Sequence, residues 1–214
     1  MEIIVFIALM TSTVATLLGV FSKSTKQTIA LMALQAAAIG FVELMYVLVN
    51  LVLGLHMEAL VKFIASFAEW FSAAAVSPLI IYWGMVRTAD TVDKPLIDVR
   101  RGSLIVAAIV LIHLGLWVYY YQVIPKQLEA LPFISLMFTL SVYLMVTRRD
   151  PLKVLVGLNM AENALFPLLA RSPMVVVPFL LVLMIFVNMV GVFIVMESHK
   201  DYGSMEISDW RLSR

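Results

Sequence analysis

Apolar residues in this chain neither alternate as in a half-buried strand nor keep to one helical face. They run on in long blocks, broken by the polar segments SKSTKQ, RTADTVDKPLIDVRRG and TRRDPLK. Blocks of about 20 apolar residues close their own backbone hydrogen bonds as helices that cross a hydrocarbon core. The pattern predicts seven such spans: Ile3–Phe21, Thr28–Leu55, Ala59–Val86, Gly102–Tyr121, Leu131–Val146, Pro151–Ala170 and Met174–Met196. The second is longer than a core of about 30 Å requires, which implies tilt. The short step to the third makes the two a hairpin, and the fourth closes on the aromatic run WVYYY, suited to an interface. The expected fold is an all-α polytopic bundle. It divides into a three-helix unit (1–86), a charged loop with a linking helix (87–128), a second three-helix unit (129–197) and a polar tail (198–214).

Composition agrees with a lipid solvent: 63% of positions are hydrophobic and 14% charged, against roughly 25% charged in soluble domains. The absence of cysteine removes disulfides, thiolate-bound zinc and iron–sulfur clusters, so redox chemistry would belong to a partner. A net charge of +1 with no basic tract argues against nucleic acid. His56, His113 and His199 have no metal-ligand spacing, and no phosphate loop or nucleophile motif is present. An autonomous enzyme is not expected, nor a cofactor or bound metal. The opening MEII has no basic n-region before its apolar run, so the first block reads as a retained helix.

With the N-terminus outside, twelve Lys and Arg residues fall on the inner side and Lys62, Lys126 and Arg171 on the outer. That asymmetry places the C-terminus in the cytoplasm of a multi-pass cell-membrane protein. A shift of about 125 residues overlays FSKSTKQTIALMALQAAAIGF on VTRRDPLKVLVGLNMAENALF. A true repeat at that shift is a parallel one, since it spans an even number of helices.

Acids inside the spans carry the functional question. A charged group within the bilayer costs from about 2.5 to more than 10 kcal/mol, and Glu43, Glu69 and Glu162 all fall there. Glu43 shares a helical stripe with Gln35, Tyr46 and Asn50; Glu69 lies between Ser66 and Ser72, with Pro78 freeing the carbonyl of Ala74; Glu162 stands beside Asn159 and Asn163. Two readings are open: a chain of protonatable groups that relays an ion, or side chains that tie helices together by hydrogen bonds of about 0.6 kcal/mol each. Glutamine would tie helices without an ionisation penalty, which favours function for Glu162 and Glu43. Glu69 is balanced between the two. His113 stands alone on its helix and reads more simply as structural, and Asn50, Asn188, Ser66 and Ser72 as packing.

The run G-L-x-M-x-E-N at Gly157 to Asn163, after the basic loop TRRDPLK, resembles the E component of hydrogenase-4 and formate hydrogenlyase-type complexes. SPLIIYWGMVRTADTVDK, Ser77 to Lys94, is similar to that family's third helix and charged loop. The family's C-terminal half is related to the K-type subunit of respiratory complex I. The resemblance implies a non-catalytic membrane-arm subunit beside antiporter-like and K-type neighbours, with Glu162 in the place of a K-type glutamate. The K-type acid itself aligns with Asn159, and the acid of its last helix has only Asn188 as counterpart. The ion-path candidates are Glu162, Glu43, Glu69, Asn159, Asn163 and His113; the resemblance implies the role of Glu162, while Glu43 and Glu69, which would supply the missing sites from the N-terminal half, are read from their place in the spans and are not a family feature. The alternatives are a structural scaffold and a stand-alone secondary transporter, the latter disfavoured by short loops and the lack of paired broken helices.

Overall fold

The computed structural model describes residues 2–88, 95–120, 130–169 and 176–204. Lys94, Lys126, Arg171, Arg211, Arg214, Tyr121 and the DWRLSR tail lie outside them. The described residues form seven helices and no strand. They are α1 (Glu2–Phe21), α2 (Thr25–Val52), α3 (His56–Thr88), α4 (Val99–Tyr120), α5 (Leu131–Thr147), α6 (Pro151–Leu169) and α7 (Val176–Tyr202). By length and composition α1, α2, α3, α4 and α7 can cross a membrane, and α5 is a shorter apolar helix.

Local chemistry sets the boundaries. Ser24 caps α2 by accepting from the Gln27 amide, so the helix opens at Thr25, three residues before the expected Thr28. It ends at Val52, before the expected Leu55, because Gly54 turns the chain at φ 74°. Asp150 accepts the Leu152 amide at 2.8 Å and so caps α6, with Pro151 in the first helical position. The last helix runs to Tyr202, six residues beyond the expected Met196. Lys200 pairs with Glu197 at 2.6 Å on this polar extension, and Gly203, at φ 66°, stops it.

α3 departs most from a plain span. Between its α-helical parts, Trp70–Val76 winds as a π-helix. Pro78 brings no N–H to the ladder, and the Ser77 amide reaches back five residues to the Ser72 carbonyl. The carbonyl that Pro78 was expected to free at Ala74 thus lies in a stretch of shifted register.

Side-chain pairings give the helix directions. Lys62 meets Glu43, Ser66 meets Gly40 and Trp70 meets Ala37, so α3 runs antiparallel to α2. Phe6 on Phe133, Ser12 on Met137 and Arg148 on the Val20 carbonyl make α1 and α5 parallel. Three hydrogen bonds join residues 125 apart: Ser12 Oγ to Met137 Sδ, Thr25 Oγ1 to Asp150 Oδ2, and Gln35 Nε2 to the Met160 carbonyl. Thr25 and Asp150, and Gln35 and Met160, are equivalent positions of the two overlaid segments, which therefore pack with those positions facing each other.

Close approach depends on small residues. A Cβ at Gly40 would lie 2.6 Å from two ring atoms of Trp70, and one at Gly157 would meet the Met145 amide nitrogen and Ser141 carbonyl at 3.2 Å each. The main core, built on Met32, Ile81, Leu140, Leu144, Val156 and Met160, is fully buried. α4 is almost wholly exposed and packs chiefly on α5.

The alternating directions collect charge at one end. Among the described residues, Lys23, Lys26, Arg87, Arg100, Arg101, Arg148, Arg149, Lys153 and Lys200 lie at the end bearing the 22–24 and 148–150 turns, and Lys62 toward the other. These cations are not all a solvated face, as a basic loop suggests. Lys153 is fully buried and donates to the Ser22 and Lys23 carbonyls at 3.2 and 2.6 Å. Arg148 donates to the Val20 carbonyl. Both therefore hold the negative C-terminal end of α1.

Candidate ion-binding site

Glu69 is the last residue of the first α-helical part of α3, immediately before the π-helix. It is 1% exposed, and its Oε1 has no hydrogen-bond partner among the described residues. A carboxyl oxygen left without a donor inside a protein is rare and calls for a reason. Glu69 faces a cavity of about 60 Å³ between α3, α6 and α7, lined also by Glu162, Asn163, Phe166, Leu181 and Met184. Glu162 is exposed at its rim. The helix register thus brings together two of the acids singled out from sequence.

The asparagines beside Glu162 point elsewhere. Asn159 and Asn188, both buried, exchange two hydrogen bonds of 2.7 Å, and Asn159 Nδ2 also donates to the Leu155 carbonyl at 2.7 Å. Asn163 lines the cavity but donates to Gln35 Oε1 at 3.3 Å. Gln35 in turn donates to Thr16 Oγ1 at 2.9 Å and to the Met160 carbonyl at 3.1 Å. These amides tie α1, α2, α6 and α7 together. His113 is apart: its Nδ1 lies 2.8 Å from the Ile109 carbonyl of its own helix, its Nε2 is 3.4 Å from Thr139 Oγ1, and it lines neither cavity described here.

Glu43 belongs to a second, larger cavity of about 320 Å³. Its Oε2 lies 3.0 Å from Lys62 Nζ, which sits 5.9 Å from the centroid of the Tyr46 ring. Glu43, Tyr46 and Asn50 of the expected stripe line this cavity, whereas Gln35 is buried in the helix interface. Glu58 and Lys62 are the other polar residues of the lining, which is otherwise apolar, and were not singled out from sequence. Their signal was spacing: Glu58, Lys62, Ser66 and Glu69 follow one another at steps of four, four and three, one face of a helix.

No protein-family model, curated protein or solved structure matches the chain. The resemblance to the hydrogenase-4 E component rests on the motif residues alone.

Proposed function

We propose that the chain is a non-catalytic membrane-arm subunit of an energy-converting, complex I-like respiratory or hydrogenase complex, in which Glu69 and Glu162, with Glu43, take part in proton or sodium translocation. The observation that carries this reading is the buried Glu69 carboxyl, with an oxygen that has no donor among the described residues, sharing a cavity with Glu162. Helix glue does not use a carboxyl in that way; a group that exchanges an ion does. Glu162 at the rim of the bundle suits a path continued by a neighbouring antiporter-like or K-type subunit. The gathering of basic residues at one end supports an arrangement in the cell membrane with that end cytoplasmic and the N-terminus outside.

A scaffold reading has its own support in the closed Asn159–Asn188 pair and the Gln35 bridge, which bind helices and leave no group free to relay. Both roles fit one subunit, and substitution separates them. Glu162→Gln is expected to leave the complex assembled while lowering ion pumping; normal pumping in that variant removes Glu162 from the path.

A further inference from the structure

We propose that the larger cavity is a water-filled vestibule, open at the N-terminal end of the bundle, that connects the aqueous phase on that side to Glu43 and then Glu69. It takes protons rather than metal cations, and this last step rests on the ion-translocating reading above. The cavity holds about 320 Å³, space for on the order of ten waters at about 30 Å³ each. Apolar cavities stay dry, but polar ones of this size fill. Here the wall is mixed: Val5, Leu9 and Leu168 are among its apolar residues, and Glu43, Tyr46, Asn50, Glu58 and Lys62 are the polar ones that can hold water. Asn50 and Glu58 flank the turn between α2 and α3, which sets the mouth at that end. Exposure falls inward: the Lys62 side chain is 23% exposed and that of Glu43 4%.

Beyond the pair, the polar face of α3 continues. Ser66 donates to the Gly40 carbonyl at 2.8 Å, and Glu69 follows one turn further. Seven residues separate Lys62 from Glu69, a rise of about 10 Å. The Lys62–Glu43 pair decides which ion is carried. A metal cation binding at Glu43 must displace an ammonium already 3.0 Å away, whereas a proton passes between water and carboxylate with the ammonium in place.

The chain has no cysteine, so single cysteines report water access. In right-side-out membranes carrying the assembled complex, Asn50→Cys and Leu168→Cys line the vestibule, exposed Leu53→Cys is the positive control and buried Leu144→Cys, in the main core, the negative one. A membrane-impermeant charged maleimide is expected to label Asn50→Cys and Leu168→Cys at least tenfold faster than Leu144→Cys, read as a mass shift of this chain. Labelling no faster than Leu144→Cys, while Leu53→Cys reacts, overturns the vestibule even where Glu162→Gln blocks pumping. Replacing Na⁺ by choline is expected to leave pumping unchanged in the same membranes. A requirement for Na⁺ overturns the proton assignment and leaves the translocating role intact.

Discussion

Asn159 and Asn188 offer a measurable division between glue and relay. Each exchanges two hydrogen bonds of 2.7 Å with the other, and they are 2% and 0% exposed. Replacing one by leucine strands the amide of its partner, and an orphaned buried polar group costs about 1–3 kcal/mol. Asn159→Leu leaves Asn188 without either bond of the pair, whereas Asn188→Leu leaves Asn159 its bond to the Leu155 carbonyl, so the first is expected to destabilise more. The double variant strands neither group. Its cost is expected to fall short of the sum of the singles by about 1.2 kcal/mol, two bonds at the membrane average of about 0.6 kcal/mol each. Reversible SDS titration in mixed micelles, followed by the emission of the four tryptophans, gives the three free energies. Strictly additive costs refute the pairing. A closed pair also has no place in an ion path, so the double variant, once assembled, is expected to pump normally.

Gly157→Ala puts a methyl group against the backbone of α5, which cannot rotate aside; a loss of about 1–3 kcal/mol is expected, and an unchanged midpoint in the same titration contradicts the packing described. Lys153→Met leaves the Ser22 and Lys23 carbonyls without their ammonium. A loss of about 2 kcal/mol is expected for two buried acceptors at a helix C-terminus, and wild-type stability would show that this contact does not hold α1.

The helices were legible because length and apolarity in lipid leave one solution for the backbone. The ends were less so, because they depend on single groups: Ser24 starting α2, Gly54 and Gly203 ending α2 and α7. The shift that aligns two weakly similar segments also joins Thr25 to Asp150 and Gln35 to Met160, so the alignment pointed to positions that pack together. Glu43, Glu69 and Glu162 could be picked out as anomalous, but which shared a cavity depended on how α3 and α6 rotate against α7. Lys62, counted on the outer side, lies toward that end and is also the partner of Glu43. Lys153, counted among the inner cations, is fully buried against the end of α1. In both cases a tertiary partner decides the environment of a charge, and no local pattern names that partner. Gly157 stands in the motif beside Glu162, yet its place follows from the backbone of α5 and not from ion chemistry.

Glu69 and Glu162 are tested together by ion uptake per electron transferred in inverted vesicles that carry the assembled complex. Glu69→Gln and Glu162→Gln keep the size of the side chain and remove its ability to bind a proton or pair with a cation. Each is expected to assemble as the unsubstituted chain does and to lose at least tenfold in uptake at matched electron flow. Unchanged uptake in both variants contradicts an ion-conducting role for the shared cavity and leaves the chain a scaffold.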